Sequence, residues 1–320
     1  MVSNIRHLLV GDPRDKIYAA LSLAKDRNAY AAARYELSVE EIYCTFAEAF
    51  VIAGRGMDVI QCAGDTNGAS QFSLPSWVPD WSVRHEINTF SLTSLSLERS
   101  SMAQDSVTLG AIPGTIVVEA RCMCLLKEIV DHRRISRHDV VEPLWDSLLA
   151  MQQFVLRVGP PELNVANVWP HLWFLLRQGR KHVSEEPFSA QHEETFARMA
   201  FHALTNRTES LFKITNNIQS GAFDNNPKSA SHIVADQVVK MVELTMECYT
   251  LALTTTGEIA VVPKASSAGD QIVHFRNALV PCILRLNPGS NTYRPIGGAY
   301  IESWGEEVAD ELAWGTVTLA

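Results

Sequence analysis

The sequence predicts an α+β fold: helices in the N-terminal and middle parts, a few strands between them, and a small C-terminal antiparallel β-barrel or curled sheet. Three observations carry this. Apolar residues recur at helical spacing up to Gly54 and again from Leu144 to Glu247. Between Phe90 and Val130, β-branched and apolar residues dominate, broken by Gly110, Pro113 and Gly114. From Tyr249 onward the period changes to two, in short runs separated by turn residues. These shifts divide the chain into a helix-plus-strand region (1–135), a helical region (136–247) and a β-barrel-like unit (248–320).

The first helix is expected to begin at Asp12. Asp12 can cap it, Pro13 fits the first turn, and Asp15 suits the positive end of the helix dipole. Ile17, Leu21 and Ala24 form its apolar stripe. Ser38 opens a second helix, with Glu41 completing a capping box; Val39, Ile42, Tyr43, Phe46 and Phe50 form its buried face, and Gly54 stops it. In Leu74–Ser82, two prolines and two tryptophans within LPSWVPDWS exclude a regular helix and suggest an irregular segment pinned to the core by its indoles. Strands are expected over Thr115–Val118 and Cys122–Ile129. Three amphipathic helices follow, around Leu144–Leu156, Val168–Leu176 and Phe196–Leu204. A polar link from Asn216 to Ser231 precedes a helix from about Ile233 to Glu247. Five strands complete the chain, starting near Tyr249, Ile259, Ile272, Leu279 and Tyr293.

Composition limits function by exclusion. A net charge of −9 argues against a general nucleic-acid binder, which needs a basic face, and against attachment to anionic membranes by charge. No stretch is apolar enough for a membrane span, and MVSNIRHLLVGDPRD lacks the apolar core of a signal peptide. Six cysteines are too few for a disulfide-built scaffold. A cytoplasmic protein with reduced thiols is the expectation.

No catalytic signature stands out. Walker, HExxH and GxSxG motifs are missing from the sequence. Cys122-Met123-Cys124, with His132 nearby, has the residue types of a metal corner but not the usual CxxC spacing; two buried strand cysteines on one face is the preferred reading. His171, His182, His192 and His202 are scattered and lack an evident nucleophile or orienting group. No catalytic, cofactor or metal residues are therefore assigned. Gly11–Lys16 is the densest charged motif. Asp12 and Asp15 would repel an anion at this helix start, so an ion-paired cap that docks on a neighbouring domain is preferred to an anion site.

These residues also carry a family resemblance. VGDPRDKIYAALSLA at Val10–Ala24, SVEEIY at Ser38–Tyr43 and LPSWVPDWS at Leu74–Ser82 resemble, in order, segments of fungal heterokaryon-incompatibility (HET) domain proteins. The far end is similar too: Ala268-Gly269-Asp270, then Val280–Arg285, then Tyr293–Ile301. Trp304-Gly305-Glu306-Glu307 keeps only part of the usual ending. The resemblance is to the region downstream of the HET domain, whose fold is similar to Toll/interleukin-receptor domains. The LSYxWG-like signature of that domain does not occur here, so the chain is expected to lack it.

The resemblance implies a part in fungal non-self recognition and cell death, as an accessory or regulatory interaction region. The implied partner is a protein, a HET domain in cis or trans; no cofactor is implied. The candidate interaction residues are Asp12, Arg14, Asp15, Lys16, Tyr18, Trp77, Asp80 and Trp81, with apolar surface expected near Ile17, Tyr18 and Trp81. The alternative is an enzyme acting on a small molecule between the helical region and the β unit, with His171, His274 and Glu302 as candidates; a ligand-binding barrel without catalysis is a weaker third.

Overall fold

The computed structural model describes residues 10–23, 33–64, 70–83, 106–130, 142–165, 167–177, 182–183, 186–187, 189–205, 230–278, 280–301 and 312–320. The fold is α+β. The described helices are α1 (Arg14–Leu23), α2 (Val39–Ile52), α3 (Gly56–Ile60), α4 (Glu142–Val158), α5 (Val168–Leu176), α6 (Ala190–Thr205) and α7 (Ala230–Cys248). The described strands are β1 (Val107–Leu109), β2 (Ile116–Ile129), β3 (His182–Val183), β4 (Glu186–Pro187), β5 (Tyr249–Thr254), β6 (Ile259–Pro263), β7 (Gln271–Phe275), β8 (Cys282–Leu286), β9 (Thr292–Gly298), β10 (Tyr300–Ile301) and β11 (Gly315–Leu319). The chain divides into two compact units. One comprises Met1–Leu126, Ala265–Ala299 and Trp304–Ala320; the other comprises Lys127–Lys264 and Tyr300–Ser303.

In the first unit, local chemistry sets the helix starts as the sequence predicts. Asp12 Oδ1 accepts the Arg14 N–H at 3.0 Å. Ser38 and Glu41 form the reciprocal capping box: the Glu41 N–H donates to Ser38 Oγ at 3.1 Å, and the Ser38 N–H to Glu41 Oε2 at 2.8 Å. Gly54, at φ 69°, ends the turn after α2.

The strands of this unit close into a ring. β2 pairs with β11, β11 with β9, β9 with β8, β8 with β7, and β7 returns to β2. Every pairing is antiparallel except β11 with β9. Closure leaves these staves without the open edges of a flat sheet. β2 serves two partners on one side: β1 over Ile116–Val118 and β7 over Ala120–Leu125. Ile116, Val118, Ala120, Phe275, Leu284 and Leu319 share one core with Ile17, Tyr43 and Phe46 of the helices.

Two strand expectations change here. The strands expected over Thr115–Val118 and Cys122–Ile129 are one continuous strand, β2, which begins one residue later, at Ile116. The expected C-terminal barrel is closed by β2, from far upstream, and by β11. The expectation that Cys122 and Cys124 share a buried face also fails: Cys122 is exposed and Cys124 buried. Met123 is an extra residue in the β2–β7 ladder, since Cys122 opposes Val273 and Cys124 opposes Ile272. Such a bulge breaks the two-residue alternation.

In the second unit, α4 to α7 occupy the expected stretches, together with a β5–β6 hairpin and β10 paired to β6. Trp169, Leu172, Trp173 and Phe196 are buried, with the two indoles 6.1 and 5.3 Å from the Phe196 ring. Thr250 donates its hydroxyl to the Val130 carbonyl at 3.1 Å. The polar link expected over Asn216–Ser231 lies outside the described residues, except that α7 begins at Ala230. No described helix is long and apolar enough to cross a membrane.

Candidate interaction site

The charged motif at the start of α1 acts as a staple within the first unit. Arg14 grips the Asp12 carboxylate through Nε (3.0 and 3.2 Å) and Nη2 (2.6 Å). Its other nitrogen, Nη1, donates to the carbonyls of Tyr35 (2.8 Å) and Leu37 (2.7 Å), fixing the segment that leads into α2. A planar guanidinium suits this task because its donors point in fixed directions. The contact with Arg14 lowers the Asp12 pKa, and the same contact raises that of Arg14.

Aromatic contacts reinforce the staple. Tyr35 donates its hydroxyl to Asp15 Oδ1 at 2.5 Å, which raises the phenol pKa. Its ring lies edge-on to Tyr18, with centroids 5.1 Å apart, and faces the Arg14 guanidinium at 5.3 Å. The Tyr18 hydroxyl accepts the Arg34 N–H and donates to the Arg34 carbonyl. Tyr43 donates to the Pro13 carbonyl at 3.1 Å.

The tryptophan segment is anchored more deeply. Trp77 and Trp81 are 1% and 2% exposed. Trp77 Nε1–H donates to the Gly114 carbonyl at 2.8 Å. Trp81 meets Tyr43 and Phe46 edge-on, at 5.1 and 5.4 Å. Between the two indoles' neighbours, buried Asp80 accepts from the Ser70 hydroxyl (2.6 Å), the Ser82 N–H (2.8 Å) and the Ser82 hydroxyl (2.5 Å). Buried Lys16 reaches the Ser82 carbonyl at 3.4 Å, linking α1 to this segment.

The staple's hydrogen-bond partners lie in the same unit. The expected apolar surface at Ile17, Tyr18 and Trp81 is corrected: Ile17 and Trp81 are core residues and Tyr18 is half-buried. What faces outward is the polar rim, with Tyr35 at 53% exposure. Sequence reading missed Tyr35, Ser70 and Ser82 because their roles depend on contacts across loops.

The barrel has its own staple. Arg285 on β8 holds buried Asp270 through Nε (2.8 Å) and Nη2 (2.7 Å), and also donates to the Ala265 carbonyl and Ser267 Oγ. Gly269 sits at φ 91°, a conformation costly for other residues, and so delivers Asp270 into this grip.

Residues 187–311 match the Het-6 beta-barrel domain. The match makes the chain similar to a het-related fungal protein. It spans the sequence from β4 to beyond β10 and so includes the Asp270–Arg285 staple, but β2 and β11 lie outside it. Neither a curated protein nor a solved structure matches.

No group of three metal-ligating side chains occurs among the described residues. His132 and Glu302 lie outside those residues. His274 Nε2–H donates to the Ala278 carbonyl at 2.9 Å, and His192 bridges Ser189 and Gln237 at the start of α6. Both histidines thus make contacts that hold a turn or a helix start.

Proposed function

We propose that this chain is an accessory, regulatory region of a heterokaryon-incompatibility protein, acting in the cytoplasm through protein contact rather than catalysis. Its partner is a HET domain, supplied in cis or in trans, and its context is fungal non-self recognition and cell death. The Het-6 barrel match carries this reading, because it overlaps the stretch where Gly269-Asp270 and Val280–Arg285 resemble the same family. The staple supports it: Arg14 and Asp15 hold Tyr35 in an outward-facing polar rim, the surface offered to the partner.

The test is co-expression of the full chain with a separate HET domain, followed by size-exclusion chromatography. Co-elution that weakens at least tenfold in Tyr35→Ala supports the proposal. Separate elution of the two proteins, or turnover of a small metabolite by the purified chain, would overturn it.

A further inference from the structure

The loop that leads into β7 brings an exposed hydroxyl to the Asp270–Arg285 staple. Ser267, Ala268 and Gly269 are exposed, whereas Ser266 and Asp270 on either side are buried. The Ser267 hydroxyl oxygen accepts from Arg285 Nη2 at 2.9 Å, and the same nitrogen donates to Asp270 Oδ2 at 2.7 Å. Directly opposite Arg285 in the β8–β9 ladder stands Arg294, which is exposed and makes no ion pair among the described residues. Opposed residues of an antiparallel pair share one face, and like charges placed so repel. The two guanidiniums and the Asp270 carboxylate leave one positive charge in excess beside Ser267.

We propose that Ser267 is a phosphorylation site and that Arg285 and Arg294 receive its phosphate. The donor is a nucleoside triphosphate presented by a serine kinase. Ser267 Oγ attacks the γ-phosphorus, and the new O–P bond forms as the bond from that phosphorus to the β,γ-bridging oxygen breaks. The nucleoside diphosphate leaves, and the hydroxyl proton passes to the kinase's base. Lys264, three residues upstream, gives such a kinase a basic residue to read. The product adds about −1.5 to −2 charge at neutral pH and three strong acceptor oxygens. These start from an atom already within hydrogen-bond reach of Arg285, so a neutral contact becomes a charge-assisted one with little movement. Asp270, which also holds the Ser267 N–H at 2.7 Å, repels the phosphate; the second guanidinium, on Arg294, offsets that repulsion. Phosphorylation therefore tightens the loop onto β8 and β9. Ser266 serves as the internal control, because its hydroxyl is buried.

Two measurements test this. The full chain is purified from a filamentous fungus and its phosphopeptides are mapped by mass spectrometry; phosphate is expected on Ser267 and not on Ser266. Separately, the full chain is made with phosphoserine inserted at position 267 through an expanded genetic code and melted beside the unmodified chain. The phosphate is expected to raise Tm by about 2–4 °C. In Arg294→Gln that gain falls by at least half, while the same substitution leaves Tm of the unmodified chain nearly unchanged, as befits an exposed residue. A fungal chain unmodified at Ser267, a phosphate that lowers Tm, or a gain untouched by Arg294→Gln overturns the proposal.

Discussion

Replacing Arg285 by Met tests whether the barrel depends on its ionic staple. Methionine keeps much of the length and apolar bulk but removes four donated hydrogen bonds, two of them to Asp270. Asp270 is 4% exposed, so its carboxylate would keep the Ser267 N–H at 2.7 Å but lose its cation. Breaking a buried ion pair on one side costs about 3–5 kcal/mol. Arg285 is 24% exposed, so water replaces part of the loss and about 2–4 kcal/mol is the better figure. For a unit of this size, that lowers Tm by roughly 5–15 °C. The assay is urea unfolding at pH 7.5 followed by tryptophan fluorescence, with calorimetry alongside. Adding Asp270→Asn removes the stranded charge, so the double variant should be at least about 1 kcal/mol more stable than the summed single losses predict. A single-variant loss under about 0.5 kcal/mol, or strict additivity, would refute the reasoning.

Three further outcomes are expected. Trp77→Phe should cost about 2–3 kcal/mol in the same unfolding assay, because it empties volume at a buried site and removes the bond to the Gly114 carbonyl. In native protein, mass-spectrometric mapping of alkylation should show exposed Cys122 modified first, faster at pH 9 than at pH 7 because shelter raises its pKa. Cys282, pushed up to about 12 by burial, should stay unmodified until the protein unfolds. Lys264→Met should raise Tm at neutral pH, since burial lowers the amine's pKa and folding disfavours its charged form. The unfolded chain then binds more protons between the lowered value and the ordinary 10.5, so native stability recovers as pH rises through that window. The gain from the substitution should accordingly shrink toward pH 10.5, as read by thermal melts across the range.

Helix starts were legible because their determinants are a few residues apart. Asp12 and Arg14, or Ser38 and Glu41, meet through short-range geometry that any chain carrying them can form. The irregular course of Leu74–Ser82 was legible for the same reason, since proline restricts its own neighbours. The Met123 bulge was not, because an extra residue exists only relative to the strand opposite. Nor was the outward role of Tyr35: a tyrosine can pack either way, and here the Asp15 carboxylate and the Arg14 face hold it at the surface.

By itself the sequence determined periodicity, caps and turns, and therefore which stretches are helix or strand. Tertiary structure alone decided partnership: that β2 and β11 close the barrel, that Arg285 finds Asp270, and that the indoles of Trp77 and Trp81 turn into the core rather than toward a partner. The physical reason is range. A repeat of 3.6 or two residues records which face seeks burial, whereas the strand or side chain that buries it is chosen by the global packing of segments far apart along the chain.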